Sequence, residues 1–199
     1  GWGGFAKYAS FHYGCSVTGI TISEEQAGYA REFTKGLPVK IIIQDYRDIK
    51  GAYDKILVCG MIEHVGYKSY RTIMKVVEKN LKSDGIFLLH TIGGLKKDNE
   101  GSKSWLRKYI FPNGMLPTVR MIAKAAEGLF VMEDWHNFGA YYDQTLMAWF
   151  NNFDKNWKKF KDKYGETSYR MWKFYFLTCA GAFRARELQL WQIVFSKKG

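Results

Sequence analysis

Two ionisable side chains, Glu63 and His90, stand at the ends of predicted buried strands. The strands, Lys55 to Met61 and Ile86 to Thr91, are short and rich in branched apolar residues. Ligands of open α/β sheets bind at the carboxyl ends of parallel strands, where a carboxylate and an imidazole suit acid–base chemistry. The alternatives are a structural, hydrogen-bonded histidine and a helix that begins at Glu63-His64, with Glu63 favoured by the helix dipole.

A glycine-rich opening, Gly1-Trp2-Gly3-Gly4, precedes a predicted helix from Phe5 to His12. Glycines ahead of a helix let backbone N–H groups approach an adenine-nucleotide-like ligand at the helix N-terminus. The alternative is an ordinary glycine-rich turn.

The next two predicted strands end in polar groups suited to a nucleoside. Thr21, Ser23 and Gln26 follow the first of them, at the position that contacts a ribose in doubly wound folds. The Ser23 to Gln26 spacing also predicts a capping box, in which Gln26 reaches back to the Ser23 N–H. Asp45 could bind an adenine amino group with Tyr46 packed on the ring; the alternative is a solvated turn.

Alternating strands and helices in the first half predict an α/β fold with a doubly wound, mostly parallel sheet. A turn is expected at Ser83-Asp84-Gly85. The predicted strands are Ser16 to Ile22, Val39 to Gln44, Lys55 to Met61 and Ile86 to Thr91, and the predicted helices are Phe5 to His12, Glu24 to Thr34 and Tyr67 to Leu81.

The second half predicts extra helices on one edge of the same single domain, residues 1–199. Pro117 is expected in the first turn of a helix that ends at Glu127. The remaining predicted elements are a polar loop (Asp98 to Ser104), a turn (Tyr109 to Gly114), strands Leu129 to Trp135 and Leu188 to Phe195, and aromatic helices Ala140 to Tyr164 and Ser168 to Arg186.

The composition indicates a folded protein with an anionic partner. Of 199 residues, 47% are hydrophobic and 17% aromatic, and 30 Lys and Arg against 19 Asp and Glu give a net charge of +11. No apolar run approaches the ~18 residues that cross a bilayer. Three cysteines at unrelated spacings argue against a disulfide scaffold and against a CxxC metal site. The partner expected from charge is a nucleic acid, an acidic substrate or a membrane surface.

Eight motifs occur in an order that resembles the catalytic domain of the cyclopropane-fatty-acyl-phospholipid synthases and their mycolic acid relatives. They extend over nearly the whole chain. The motifs begin at Gly1 (GWGG), Thr21 (TISEEQ), Gln44 (QDYRD), Glu63 (EHVG), Leu89 (LHTIG), Tyr109 (YIFPNG), Glu133 (EDWHNFG) and Cys179 (CAGAFR).

This resemblance implies a class I methyltransferase fold whose seven-stranded sheet lacks its first strand here. It implies transfer of a methylene group from S-adenosylmethionine to an unsaturated phospholipid acyl chain, which forms a cyclopropane ring. The protein would be cytoplasmic and peripherally bound to the inner face of an anionic membrane, and a homodimer is compatible with this. The chain, which begins at Gly1 without Met, is expected to be the carboxy-terminal part of a longer protein with an amino-terminal lipid-binding segment.

The resemblance also implies site residues. A bound bicarbonate would act as base, held by Glu63, His90, Tyr142 and the backbone of Ile92, with Cys179 nearby; an upstream cysteine of the family's site is missing. Either the carboxylate of Glu63 accepts the bicarbonate O–H or a protonated carboxyl donates. No metal is implied. The expected cofactor-binding residues are Gly1, Trp2, Gly3, Thr21, Ser23, Gln26, Gln44, Asp45 and Tyr46.

Other functions remain as alternatives. A lipid methyltransferase of the same fold could give a methyl-branched or oxygenated product, and a non-catalytic membrane-binding module would lack chemistry. A nucleic-acid methyltransferase would carry a Pro-Cys or Asn-Pro-Pro-Tyr stretch, and neither occurs. Two or three aromatic residues are expected to line the acyl pocket, out of Trp135, Phe138, Tyr141, Phe150, Trp172, Phe174 and Tyr175. The cations expected to attract lipid headgroups, or simply to be solvated, are Lys96, Lys97, Lys103, Lys108, Lys155, Lys158, Lys159, Lys161 and Lys163.

Overall fold

The computed structural model describes residues 1–95 and 105–197. The predicted loop from Asp98 to Ser104 and the cations Lys96, Lys97 and Lys103 lie outside these residues. The chain divides into two compact units, Gly1–Ala52 and Tyr53–Gly199, and each is described by itself. Within the described part, no helix is both long and apolar enough to cross a membrane.

The first unit is a small α/β assembly with two parallel strands. Strands β1 and β2 pair from Val17–Val39 to Thr21–Ile43, as the sequence predicts. Alanines 6, 27 and 30 are its buried apolar residues, because small side chains let helices lie close to a two-stranded sheet. The elements are α1 (Gly4–Tyr13), β1 (Val17–Thr21), α2 (Glu24–Phe33) and β2 (Val39–Ile43).

The second unit holds a four-stranded mixed sheet. Its order is β3-β4-β6-β5; β3 and β4 are parallel, whereas β6 is antiparallel to both its neighbours. The predicted α/β class is therefore confirmed, with a larger antiparallel share than expected. The elements are β3 (Tyr53–Cys59), α3 (Tyr70–Asn80), β4 (Leu81–Gly94), α4 (Trp105–Tyr109), α5 (Val119–Ala126), β5 (Phe130–Asn137), α6 (Gly139–Asn156), α7 (Lys161–Arg184) and β6 (Leu188–Lys197).

The two faces of this four-stranded sheet carry different kinds of side chain. Phe87 and Leu89 on β4 are fully buried, and so are Phe195 and Ile193, their register partners on β6; the Phe87 and Phe195 rings stack at 5.4 Å. Because side chains alternate along a strand, His90 points to the opposite face. The polar groups of the site therefore lie on the face opposite to this cluster of buried phenylalanine, leucine and isoleucine side chains.

Two local predictions are wrong at the level of single residues, and a third is incomplete. Ser83-Asp84-Gly85 lies inside β4 as an irregularity, since Tyr53 pairs with Leu81 but Lys55 already pairs with Ile86. Pro117 precedes α5 because Thr118 is the N-cap, its hydroxyl accepting from the Met121 N–H. The predicted helix Ala140 to Tyr164 is interrupted by a short 3₁₀ turn, Trp157–Lys159. The predicted break after Tyr164 is present as well, since Gly165 has non-helical angles (φ 72°, ψ 166°) inside α7.

Candidate active site

Glu63 lies in a short 3₁₀ helix, Ile62–His64, just beyond the end of β3. Its side chain is 7% exposed, and Oε1 accepts a hydrogen bond of 2.9 Å from the backbone N–H of Ile92. The Glu63 carbonyl accepts from the Met115 N–H at 2.8 Å, which fixes the backbone as well. The other oxygen, Oε2, is buried and has no hydrogen-bond partner among the described residues. A buried acceptor without a donor is costly, and a bound ligand with an O–H group would satisfy it.

His90 lies on β4, two residues before Ile92, and its ring is held from one side. The side-chain amide nitrogen of Gln192 on β6 lies 3.2 Å from Nδ1. Burial lowers the pKa of His90, although the Glu63 carboxylate acts in the opposite direction. The imidazole is therefore mostly neutral at neutral pH, and Nε2 is the nitrogen left for a ligand.

Tyr142 reaches the site from the first turn of α6. Its ring makes an edge contact with Phe183 at 4.9 Å and packs, as Ile92 does, against the core between α6 and α7. Burial raises the pKa of the Tyr142 hydroxyl, and the thiols of Cys59 and Cys179 and the Glu63 carboxylate raise it further. The hydroxyl thus stays protonated and is available as a hydrogen-bond donor.

Cys179 is buried in α7, in the same core as Leu146, Phe176 and Phe183. Burial raises the pKa of its thiol to about 11, so the nucleophilic thiolate is scarce at neutral pH. The charge of a Cys179 thiolate would act on Tyr142 and on Tyr175, which lie on this side of the unit. These electrostatic effects are consistent with the predicted place of Cys179 near the site. Its buried, apolar surroundings are typical of a packing residue.

The backbone N–H of Ile92 donates to Glu63, and the Ile92 carbonyl accepts from the Thr91 hydroxyl at 3.0 Å. The expected contact of this backbone with a ligand stays a prediction. The role supported by the structure is that β4 holds the carboxylate of Glu63 in place.

Three polar residues near Glu63 and His90 were missed. Cys59 pairs with His90 in the parallel register, and Tyr70 is 2% exposed with its hydroxyl 3.5 Å from the Met115 carbonyl. Burial raises the pKa of Tyr70, and the Glu63 carboxylate adds to the shift. The sequence contains a local signal for Cys59 as a site residue, because Cys59 ends the strand before Glu63. It contains no comparable signal for Tyr70 or for the third residue, Gln192.

Several of the candidate lining aromatics adjoin the core that contains Cys179. Phe138, Phe150 and Tyr175 pack against it, and their expected place in the lining of an acyl pocket stays a prediction. Phe111, in the turn after α4, makes an edge contact with Tyr175 at 5.8 Å. Tyr141, another of the candidate lining aromatics, is by contrast 63% exposed to solvent.

The glycine-rich opening forms the N-terminus of α1 in the first unit. Gly3 has a φ of 85°, and a Cβ at this position would lie 2.9 Å from the Cβ of Ala30, so only glycine fits. No side chain caps the helix, which leaves N–H groups of its first turn available. Gly1 has open space around it, and Trp2 is 56% exposed with its ring edge-on to Tyr29 at 5.6 Å.

Thr21, Ser23 and Gln26 are brought together, but not as a capping box. The Thr21 hydroxyl donates to Oε1 of Gln26 at 2.8 Å and accepts from the Ser23 N–H. Ser23 does cap α2 by accepting from the Gln26 N–H, while its own hydroxyl donates to Glu25. The Gln26 side chain therefore binds Thr21. The predicted contact of this side chain with the Ser23 N–H is wrong.

Asp45 is engaged by its neighbour Arg47, whose guanidinium donates to both carboxylate oxygens at 2.7 and 2.8 Å. These hydrogen bonds lower the pKa of Asp45 to about 2. The Arg47 guanidinium also lies 5.9 Å from the centre of the Tyr46 ring, and the Gln44 N–H donates to the Thr21 carbonyl. The expected cofactor-binding residues all belong to the first unit, and the expected base-holding residues all belong to the second.

The chain is similar to enzymes that modify lipids. It is 55% identical over 197 residues to the cyclopropane-fatty-acyl-phospholipid synthase of Escherichia coli (strain K12), covering 99% of this chain and 51% of the relative. It is 33% identical over 210 residues to sphingolipid C9-methyltransferase A of Emericella nidulans, covering 99% and 41%. The chain thus spans about half the length of the curated relatives that it matches.

The fold is that of solved cyclopropane synthases. The structure of mycolic acid cyclopropane synthase CmaA1 complexed with SAH and CTAB superposes with a TM-score of 0.89 at 25% identity, covering 99% of this chain and 75% of the other. The family model described as mycolic acid cyclopropane synthetase matches residues 1–193. The chain therefore belongs to the mycolic acid cyclopropane synthetase family.

Proposed function

We propose that the protein carrying this chain transfers a methylene group from S-adenosylmethionine to the cis double bond of an unsaturated acyl chain in a membrane phospholipid. The product is a cyclopropane ring. One observation carries the proposal: Oε2 of Glu63 is buried and has no hydrogen-bond partner among the described residues, in the same unit as His90 and Tyr142. The 55% identity to a cyclopropane-fatty-acyl-phospholipid synthase supports the substrate class.

The reaction sets three requirements. An alkene carbon attacks the sulfonium methyl, the S–CH₃ bond breaks, and the acyl chain is left with a positive charge. A proton then leaves the transferred methyl, and its C–H electrons close the three-membered ring, so the lipid gains one CH₂ overall. The enzyme must exclude water, stabilise the cation and position a base, and a positioned base contributes about 10²–10⁴-fold.

The three side chains fit a bicarbonate ion. Oε2 of Glu63 is the acceptor for its O–H group, since Oε1 is already occupied by the Ile92 N–H. His90 and Tyr142 offer hydrogen-bond donors to the anionic oxygens. When bound there, bicarbonate supplies the base that accepts the proton. The protein's own part is to hold the anion in one orientation, with a neutral imidazole that does not compete for the proton.

Aromatic side chains and burial supply the other two requirements. The rings of Tyr142 and Tyr175 pack against the core that contains Cys179, and Phe111 contacts Tyr175. Such faces stabilise a desolvated cation by roughly 0.5–2 kcal/mol each. Both tyrosines are partly buried, and burial raises the pKa of both hydroxyls. We propose that these rings form the wall that keeps water from quenching the cation.

S-adenosylmethionine is proposed to bind the first unit. The uncapped N-terminus of α1, with Gly3 in a left-handed conformation, fits close approach of the methionine part to backbone N–H groups. The Thr21 and Gln26 pair offers polar atoms for the ribose, and Asp45 with Tyr46 offers a carboxylate and a ring for adenine. Gly1, Trp2, Ser23 and Gln44 complete the proposed set.

A cluster of five exposed lysines, which we name the basic tip, is the proposed contact with an anionic membrane. Phe160 and Tyr164 lie among them and are 46% and 53% exposed. Cations near an anionic surface each contribute about 1 kcal/mol, and exposed aromatic rings favour the headgroup region. The basic tip lies where α6 ends and α7 begins and consists of Lys155, Lys158, Lys159, Lys161 and Lys163.

The experiment is a product analysis. The purified protein is incubated with S-adenosylmethionine and vesicles of a phospholipid that has one cis double bond per acyl chain. We expect a mass increase of one CH₂, upfield cyclopropane proton signals and loss of the olefinic signals. A lipid whose mass and double bonds are unchanged would contradict the proposal.

A second candidate function is methylation without ring closure. The 33% identity to a sphingolipid C9-methyltransferase favours it, because that relative is named for methylation of a lipid carbon and not for ring formation. Loss of a proton from a neighbouring chain carbon would give the same mass increase while an olefinic signal remains. The proton spectrum therefore separates the two functions where mass alone does not.

A further inference from the structure

Four side chains lie beside one another across the four-stranded sheet of the second unit. Cys59 on β3 pairs with His90 on β4, His90 pairs with Gln192 on β6, and Gln192 pairs with His136 on β5. Residues in register on neighbouring strands project from the same face. This is also the face of Ile92 and Leu190, two residues along β4 and β6, and both contact the core between α6 and α7.

The contact between Gln192 and His90 has a defined direction. The Nε2 atom of the glutamine amide lies 3.2 Å from Nδ1 of the imidazole. An amide NH₂ group only donates, so Nδ1 has to accept, and the ring proton is then on Nε2. Burial disfavours the imidazolium form, in which Nδ1 would carry a proton and lose this bond.

We propose that Gln192 is a positioning residue that holds His90 as the neutral tautomer with its proton on Nε2, aimed at the ligand of Glu63. The inference rests on the proposed function, since the value of that N–H group is to bind the anionic base. Gln192 acts through His90 and is not assigned a contact with ligand or substrate.

An uncharged amide is suited to this role in a way that a carboxylate is not. In Gln192→Glu the carboxylate would accept a hydrogen bond from a protonated Nδ1 and stabilise the imidazolium, so the imidazole would compete for the proton that the base must collect. Gln selects the tautomer and adds no charge. Among the described residues, the Glu63 carboxylate after β3 acts on the pKa of His90, and Cys59 on β3 is its register partner. The other titratable groups on this face are His136 on β5, one strand beyond β6, and Tyr142 on α6 and Cys179 on α7, which belong to the core against which Ile92 packs.

The direct test is the tautomer of His90 in the purified protein. Long-range ¹H–¹⁵N spectra of ¹⁵N-histidine-labelled protein report which ring nitrogen carries the proton, and a His90→Asn variant assigns the signals. We expect the proton on Nε2 in the unmodified protein above pH 7, both tautomers in Gln192→Met, and the proton on Nδ1 in Gln192→Glu.

Turnover supplies the second readout. Gln192→Met is expected to lower kcat by roughly five- to tenfold, the scale of one lost hydrogen bond, with little change in KM for S-adenosylmethionine. Gln192→Glu is expected to lose more, and to regain part of its activity as the pH falls, because the imidazolium again carries a proton on Nε2. Gln144→Met, at an exposed position of α6, is the matched control and should match the unmodified protein.

Two results would overturn the inference: a proton on Nδ1 of His90 in the unmodified protein, or an unchanged tautomer together with an unchanged kcat in Gln192→Met. The first needs no variant, so a misfolded mutant does not decide the matter. The proposed function fails separately, if the unmodified protein leaves the mass and double bonds of the lipid unchanged while the tautomer is as predicted. Full turnover in both Glu63→Gln and His90→Asn would instead contradict the base site.

Discussion

The backbone N–H of Ile92 donates to Oε1 of Glu63 at 2.9 Å, so the strand that carries His90 also holds the carboxylate. His90 precedes Ile92 by two residues and projects from the same face of β4. The two groups assigned to the base are therefore joined through three residues of one strand. Displacement of that strand would move both.

Replacing Glu63 by Gln tests the role of the free oxygen. The amide oxygen of Gln can still accept the Ile92 N–H, while an NH₂ group replaces Oε2 and is no longer an acceptor for an O–H group. We expect kcat to fall by about 10²–10⁴-fold, with the thermal unfolding temperature and binding of S-adenosylmethionine nearly unchanged. Turnover on phospholipid vesicles and calorimetry measure the three quantities.

Glu187→Gln is the matched control for this change, because Glu187 is exposed. It should leave turnover as it is. If Glu63→Gln keeps the turnover of this control, Glu63 has no part in the base.

Gly93 on β4 is required by the packing of Trp191. A Cβ at Gly93 would lie 2.2 Å from the indole ring, which is 1% exposed and has little room to move. Gly93→Ala is expected to lower the free energy of unfolding by roughly 1–3 kcal/mol, the usual cost of overpacking. Denaturant unfolding measures it.

The control for the stability measurement is Gly181→Ala in α7. Nothing lies within 4 Å of the Cβ that this change adds. Alanine is the better helix former, so the free energy of unfolding should rise by about 0.5–1 kcal/mol. Equal stability of the two variants would contradict the packing assigned to Gly93.

Cys179 should resist alkylation in the folded protein. Its thiol is buried and has a pKa of about 11, so roughly one thiol in a thousand is ionised at pH 8. Cys15 is exposed and serves as the internal reference. We expect iodoacetamide to modify Cys15 far faster, as measured by mass spectrometry of peptides. Comparable rates at the two cysteines would show that Cys179 is a reactive thiol.

The basic tip should govern binding to anionic vesicles. Reversing two of its charges, Lys158→Glu with Lys161→Glu, is expected to weaken binding by at least about tenfold at low salt, and the difference should shrink as salt is added. The matched control, Lys75→Glu with Lys79→Glu, makes the same charge change at exposed positions of α3. Sedimentation with vesicles measures the binding, and equal losses in both variants would mean that net charge alone attracts the protein.

Local chemistry predicts most elements and the two central site residues. The position of Glu63 follows from the end of β3, which an apolar run reveals, whereas β4 continues for four residues past His90 to Gly94. The strand through Ser83-Asp84-Gly85 was missed because these residues favour a turn, and pairing with β3 overrides that preference. Pro117 is predicted in the first turn of the helix but precedes the N-cap, because Thr118 is the better N-cap.

Long-range register is what a single sequence does not contain. Gln192 and His90 are 102 positions apart, and they meet because β6 runs antiparallel to β4 in one particular register. The hydrogen bond from the Ile92 N–H to Glu63 joins residues that are 29 positions apart. It depends in the same way on how the 3₁₀ helix after β3 lies against β4. Such contacts are set by tertiary packing and not by the residues next to them.

The proposed reaction depends most on bicarbonate as the base held by Glu63 and His90. The most direct measurement is the turnover rate on phospholipid vesicles in buffer freed of carbon dioxide, followed by addition of bicarbonate at constant pH and ionic strength. We predict a low rate that rises and saturates as bicarbonate is added, and no such response in Glu63→Gln. A rate that is already full without bicarbonate and does not change on its addition would contradict the account.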